Sequence, residues 1–349
     1  MTLVLLPACS FQNSDRPMVF TEHGQLTCTP VSYPDILGIT MQLVKHDSLL
    51  LLNDFRGDTL IHVFNVKNGR LLTKLVSVGN GPDEMKSPLE IYIRKNRLYI
   101  HYRQVATLYS LSLDSLLLPD RKLKKHFQAS GETSVLFPLS DSLFIAAGYF
   151  QQRYAVFNHC GEKVHEFGDY PAYWSREKDL SLQVRAMFHQ VRFEKHPTEA
   201  LFLACSSHTM EIYDYGEGIR QPVLIASLWT GKYNYSWMDD GTYLSTRKGD
   251  DVERGTVSVA VSSRYIYAVH NPGKNEQDDA GSQIRIIDWK GNPVKILHFD
   301  KPVACLTVDE KENRVYLIAE DPDNTLLYAV SIHPDFRIVT FDPDRALKK

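Results

Sequence analysis

Short runs in which apolar and aromatic residues alternate with polar ones recur along the whole chain, and an amphipathic helical period is almost absent. One pattern returns six times: a strand, a turn, a second strand, a polar turn and a third strand. It is clearest in "DSLLLLNDFRGDTLIHVFNVKNGRLLTKL" (47–75) and recurs at 96–115, 141–167, 199–218, 264–299 and 313–335. Another short strand precedes each unit: "ITMQLV", "LEIYI", "SVLFPL", "VRFEK", "TVSVAV" and "ACLTV". Asn65 to Gly69, Asn158 to Gly161 and Asp288 to Gly291 occupy equivalent turns. Asn, Asp and Gly suit them because they tolerate positive φ and bond their own backbone. Four strands per unit, repeated six times, predict an all-β fold, a six-bladed β-propeller over residues 18–345. A multi-sheet sandwich or β-helix fits this four-strand cadence less well. The last unit runs out of strands after "RIVTF", so a strand within "MVFTEHGQLT" (18–27) is expected to complete it and close the ring.

The net charge of −3 comes without any dense Lys/Arg stripe, which argues against a nucleic-acid partner. No segment approaches the roughly 20 apolar residues of a membrane span. The opening "MTLVLLPACS" nevertheless ends like a bacterial lipoprotein signal, with an aliphatic residue and small residues before Cys9. It lacks a positive n-region and its apolar run is shorter than the roughly 7–15 residues of a signal core. We therefore expect a start upstream, a signal remnant and tether over 1–17, and lipidation at Cys9. That implies an anchor in the bacterial cell envelope, at the periplasmic or surface face of the outer membrane. Cys28, Cys160, Cys205 and Cys305 have no metal-ligand spacing and are expected to act as small buried hydrophobes, with pairing left open. The histidines form no HExxH pair; His62 and His101 are expected inside blades.

"VGNGPDEM" (78–85) has two glycines after an apolar run, as phosphate loops do. A P-loop, however, follows its last glycine with Lys and Ser/Thr, whereas Gly81 is followed by Pro82, Asp83 and Glu84, which repel phosphate. This segment, the Leu6-Pro7-Ala8-Cys9 ending and "VAVSSRYIYAVH" (259–270) together resemble the TolB-like or NHL-like six-bladed propellers found as lipoproteins in gut Bacteroidetes. Members of that family often carry a G-x-G-P-x-E-aromatic motif, and Met85 stands here in place of the aromatic. The resemblance covers nearly the whole chain from Met18 and implies the fold rather than an activity. It makes "VGNGPDEM" a joint between two blades. Gly79 and Gly81 are expected to take backbone angles closed to other residues, Pro82 to stiffen the exit, Met85 to pack between blades and Glu84 to point at the central channel.

A propeller places its interblade links and the loops between second and third strands on one face. Two links are unusually long, 168–188 and 229–255, and carry eight Tyr and Trp residues beside Arg176, Asp239, Asp240 and Arg247. Such rings can stack on a sugar or peptide side chain while polar groups orient it, or they can pack the loops onto the blades. The ligand-binding candidates on this face are Arg56, Tyr149, Arg153, Trp174, Trp237, Tyr243, Arg247 and His270. The loop 271–281 holds hard oxygens without EF-hand spacing, which keeps calcium only as an alternative there. "SWMDDGTYL" (236–244) departs from a sialidase Asp-box at Ser236 and Leu244, and there is no G-x-S-x-G elbow. The expectation is a non-catalytic, surface-anchored, monomeric binding propeller without cofactor or metal, presenting this face to a glycan, peptide or protein. The rivals are a propeller hydrolase, lyase or lactonase with a carboxylate or metal site at the channel mouth, and a structural subunit of an outer-membrane complex.

Overall fold

A four-stranded blade has two apolar faces and no partner of its own, so its middle strands must be covered on both sides by neighbouring blades. The computed structural model meets this demand by radial packing. It describes residues 18–26, 29–31, 38–81, 83–171, 177, 179–216, 221–229, 234–240, 244–274, 280–311, 313–321 and 324–331. Two short strands, β1 (His23–Leu26) and β2 (Thr29–Val31), come first and join the last blades. Blade 1 is β3 (Thr40–His46), β4 (Leu49–Asp54), β5 (Thr59–Asn65) and β6 (Leu71–Ser77). Blade 2 is β7 (Leu89–Arg94), β8 (Arg97–Tyr102), β9 (Thr107–Ser112) and β10 (Lys124–Gln128). Blade 3 is β11 (Thr133–Pro138), β12 (Leu143–Gly148), β13 (Tyr154–Asn158) and β14 (Lys163–Phe167). A short helix, α1 (Leu182–Phe188), precedes blade 4, which is β15 (Arg192–Lys195), β16 (Leu201–Cys205), β17 (Thr209–Asp214) and β18 (Val223–Trp229).

A hairpin of β19 (Tyr235–Asp239) and β20 (Leu244–Lys248) then interrupts the cadence. Blade 5 follows with β21 (Gly255–Val261), β22 (Tyr265–Asn271), β23 (Gly281–Asp288) and the first part of β24 (Pro293–Asp309). The long β24 pairs with β23 through residues 293–298 and, from Val303 to Asp309, with β25 (Arg314–Asp321). It is therefore the outer strand of blade 5 and the inner strand of blade 6, and it joins the two blades into one sheet. β26 (Asn324–Ser331) continues blade 6, and β2 pairs antiparallel with β26 as its fourth strand. The N-terminal strand thus closes the ring as expected, but the closing residues are 29–31. β1, within the segment expected to close it, instead lies parallel to β24 as an extra outer strand of blade 5. The six-bladed, four-stranded architecture read from the repeat is the architecture found.

The core is a ring of interblade layers. Blades 1 and 2 share Leu51, Ile61, Val63, Ile91 and Ile100; blades 6 and 1 close with Leu43, Leu52, Phe64, Cys305, Tyr316 and Ile318. Second strands such as β4, β16 and β22 are buried along almost their whole length, whereas the outer strands β10, β14 and β18 are largely solvent-facing. The predicted Asn/Asp-Gly turns behave alike. Gly69, Gly161 and Gly291 have φ of 67°, 82° and 85°, and the side chains of Asn65, Asn158 and Asp288 accept bonds from the backbone two residues on. Cys205 and Cys305 are buried free thiols, pushed up to about 12 by desolvation, and Cys160 is an exposed free thiol. Cys9 and Cys28 lie outside the described residues.

The interblade joint corrects two expectations. Neither Gly79 nor Gly81 has positive φ; the left-handed residue is Val76, at 63°. A Cβ at Gly79 would meet the Glu84 carboxylate where it lies, so a side chain there would displace Glu84 from the turn. Glu84 does not reach the channel. Its Oε2 accepts from the Gly81 N–H at 2.8 Å and ties the turn to itself. Met85, 3% exposed, does pack between blades 1 and 2. Pro82 lies outside the described residues.

Blades 3 and 4 are joined by a buried ion pair. Arg153 Nη1 donates to Glu211 Oε1 at 2.6 Å, and Tyr154 and Tyr213 donate their hydroxyls to Glu211 Oε2 at 2.7 and 3.1 Å. Arg153 Nη2 adds a bond to Thr209. Removing one partner strands the other charge in a dry interface, so Glu211→Ala should destabilise the fold by about 3–5 kcal/mol in urea unfolding. A loss below about 1 kcal/mol would show that the pair contributes nothing to the blade joint.

Candidate functional site

The inner strand of every blade begins at the end where the interblade links arrive, here the upper end, and lines an axial channel. Two chambers follow one another along it. The upper, about 500 Å³, is bounded by the early part of the inner strands and the residues leading into them, including Thr40, Gln190, Arg192 and Ser258, and by Ser207, Lys248 and Arg254. The lower, about 520 Å³, is bounded by later positions, including Lys45, Arg94, Glu194 and Lys195. Met41, Glu90, Arg103, Arg192, Ser258 and Val259 border both chambers and form the waist between them. The two chambers together carry eight Lys and Arg residues against two acids, Glu90 and Glu194, in a chain whose net charge is −3. Charge of one sign along a low-dielectric cleft focuses the field on whatever enters it, a setting that favours an anion over a cation.

At the waist Glu90 is held by three neighbours. His101 Nδ1 lies 3.0 Å and the Tyr92 hydroxyl 3.1 Å from Glu90 Oε2, and Arg103 is 3.9 Å from Oε1. Burial, with Glu90 next, raises the Tyr92 phenol well above its ordinary range. Desolvation pushes the Glu194 carboxyl up to about 8, with Arg192 opposing, although channel water reaches this half-buried side chain and tempers the effect. Thr40 Oγ1, at the upper mouth, is buried without a protein partner.

A cap stands beside the upper mouth. Ser181 Oγ accepts from Val184 N–H at the start of α1, and Val184 and Phe188 on its inner face meet Tyr235, Trp237 and Leu244 of the hairpin. Phe188 and Tyr235 stack with centroids 4.5 Å apart. The two long interblade links thus pack on each other. Tyr170 is pinned as well, its hydroxyl donating to the carbonyls of Gly148 and Phe150 and its ring lying under Arg185.

The candidates read from the sequence fall into three groups. Arg153 and His270, 2% and 0% exposed, are interior and cannot touch a ligand: the first is the blade 3–blade 4 ion pair, and the second bonds Glu253 at 3.0 Å. Arg56 is exposed in a turn braced by Asp54 and Arg247 is exposed on β20 beside Asp250, while Tyr149 is half-buried against a crevice of only about 20 Å³. Trp237 is half-buried in the cap. Trp174, Tyr243 and Arg176 lie outside the described residues. The channel residues Glu90, Arg94, Arg103, Arg192, Glu194 and Lys195 were not singled out from the sequence. Arg103 offered only a charge in the turn after β8, and the others only charges on inner strands, as an ordinary solvent-facing strand also shows. Among the described residues no cluster of three His, Cys, Asp or Glu is arranged to hold a metal ion.

A family model for TolB-like 6-blade propeller-like domains matches residues 21–311. The chain belongs to the TolB-like six-bladed propeller family. No curated protein matches it in sequence. In structure this TolB-like propeller is similar to a Bacteroides fragilis protein described as exported, at 12% identity and a TM-score of 0.52, over 91% of this chain and 99% of that one. It also resembles the propeller domain of Myceliophteria thermophila Cps50, at 14% identity and a TM-score of 0.47, over 84% of this chain and 98% of that one. At these identities the likeness shows the fold alone. Among the described residues of the propeller no helix is long and apolar enough to cross a membrane.

The cap is fastened through buried histidines. His189, just after α1, lies 3.1 Å from Glu177, and burial holds it down to about 4 despite that bond. His208 contacts Tyr235 at 3.4 Å and the Glu253 carbonyl at 2.9 Å; burial, then Lys248, holds it down to about 4. An unfolded histidine titrates near 6.5, so between pH 6.5 and 4 the unfolded chain binds protons that the folded one refuses. Stability is therefore fully present above about pH 6.5 and falls as the pH drops toward 4. Between pH 7.5 and 5 we expect a loss of about 2 kcal/mol per histidine in urea unfolding. His189→Gln should flatten the slope, and an unchanged slope would remove His189 as its source.

Proposed function

We propose that this TolB-like propeller is a non-catalytic binding protein of the bacterial cell envelope, whose ligand is an acidic oligosaccharide seated in the upper mouth of the channel. The observation that carries the reading is the composition of that mouth. Arg192, Lys248 and Arg254 supply positive charge, Glu90 is the one carboxylate, and Thr40, Gln190, Ser207 and Ser258 offer the short polar groups that sugar hydroxyls need. The cap shields one side, and its aromatic residues serve mainly to fix it in place. Lipidation at Cys9 belongs to the same proposal, as the anchor that would hold the propeller at the envelope.

A second reading is favoured by one observation. Two carboxylates, Glu90 and Glu194, face the same channel in different surroundings, one beside His101 and Arg103 and one desolvated. A desolvated carboxyl sharing a channel with an ion-paired one is an arrangement that acid–base chemistry uses, which supports a hydrolase or lyase in place of a pure binder.

Titration calorimetry with oligogalacturonate and a neutral oligomer of equal length tests both. The acidic sugar should bind, weaken with added salt and lose about tenfold in affinity with Arg254→Gln. Equal binding of the neutral oligomer, or no binding, overturns the proposal. Binding of an acidic peptide alone would replace the sugar, and cleavage products lost in Glu194→Gln would move the assignment to the enzyme.

A further inference from the structure

The lower chamber carries an excess of charge that the upper mouth does not explain. Of its six Lys and Arg residues, three are matched by acids: Lys45 by Asp309, Arg103 by Glu90, and Lys95 by Asp141 at 2.6 Å. Arg94, Arg192 and Lys195 remain, with Glu194 as the only other carboxylate on the wall. Arg94 comes from the end of β7 in blade 2 and Lys195 from the end of β15 in blade 4, so they approach each other past the inner end of blade 3. Asp141 takes only the Nη2 edge of Arg94, at 3.7 Å, and Arg94 Nη1 is buried with no protein partner. Lys195 Nζ gives one bond, 3.1 Å to the His196 carbonyl, and lies 6.0 Å from the Tyr215 ring centroid, which leaves it further donors.

Two like charges brought together in a half-buried wall, one with an unsatisfied donor, raise the free energy of the empty site and lower it again when an anion bridges them. We propose that the lower chamber is a second binding site, separate from the upper mouth, in which Arg94 and Lys195 clamp a small dianion, either a phosphate group or a dicarboxylate, with Arg192 adding attraction from the waist. Burial and the Arg94 charge lower the Lys195 ammonium from its ordinary range, which an anion in the site would reverse. Glu194 is one carboxylate against Arg94, Arg192 and Lys195, so this wall keeps an excess of positive charge. A chamber of about 520 Å³ accepts the anion with a small organic group attached.

The test is calorimetric titration of the full propeller with inorganic phosphate and, separately, malonate, on the wild type, Arg94→Gln, Lys195→Gln and a surface control, Lys290→Gln. Circular dichroism melts confirm that each variant folds. Saturable binding of either anion to the wild type is expected, weakened about tenfold or more by Arg94→Gln and by Lys195→Gln and unchanged by Lys290→Gln. Phosphate without malonate identifies a phosphate group, malonate without phosphate a dicarboxylate, and both together the shared dianion chemistry. No saturable binding of either, or binding that survives both substitutions, overturns the proposal. Neither substitution lies at the upper mouth, so this result is read independently of the oligosaccharide titration.

Discussion

No blade of this protein has a core to itself, and every other feature depends on that constraint. A blade's second strand is apolar on both faces, and water is excluded from it only when blades stand on either side. Five interblade layers form as each blade follows the last along the chain, but the sixth, between blades 6 and 1, needs the two ends of the propeller to meet. There Leu43, Leu52 and Phe64 of blade 1 pack on Cys305, Tyr316 and Ile318 of blade 6. The strand that seals blade 6, residues 29–31, comes from the N-terminal side of blade 1. Closure couples the ends of a long chain, so the entropy of joining them is met once, by the whole ring.

The channel is a consequence of the same geometry. Inner strands converge on an axis where their side chains cannot all interdigitate, and the space left there is lined by whatever these strands present. In this protein the lining carries eight Lys and Arg residues against Glu90 and Glu194, four of the cations on inner strands and four on the segments beside them. Such a concentration costs stability through self-repulsion, and local pairing relieves only part of it, as Glu90 with Arg103 and Asp141 with Lys95 show. The contrast with Arg153 is instructive. That guanidinium is fully enclosed and its neighbour Glu211 accepts three donors, the composition of a joint rather than a site. Arg94, with one nitrogen unpaired beside an open chamber, has the composition of a site.

The cap follows a different logic. Two insertions interrupt the four-strand cadence, before blade 4 and before blade 5, and each is too short to fold alone. Their rings therefore bury against each other, Phe188 on Tyr235 with Trp237 alongside, and His189 and His208 tie the layer to Glu177 and to the Glu253 carbonyl. A layer held by one small apolar cluster and by buried histidines is open to acid, and it stands beside the mouth of the channel.

Periodicity alone determined the blades. Alternation, Asn/Asp-Gly turns and a sixfold cadence are local signals, and the strands at 40–46, 89–94 and 255–261 stand where the pattern puts them because a strand's two faces are written into consecutive residues. The joint at 78–85 was legible for the same reason, down to Met85 packing between blades, although its glycines do not take positive φ and Glu84 ties the turn rather than facing the channel. The site was not legible. Aromatic long loops drew attention to Trp237 and its neighbours, whose rings hold the cap together, while Arg153 and His270 proved interior. Arg94 and Lys195 are 101 residues apart and look in the sequence like any charge on a half-exposed strand. Only ring closure brings the ends of their strands to one chamber, because which inner strands face each other across an axis depends on the number of blades and on their closing, neither of which any local stretch of sequence contains.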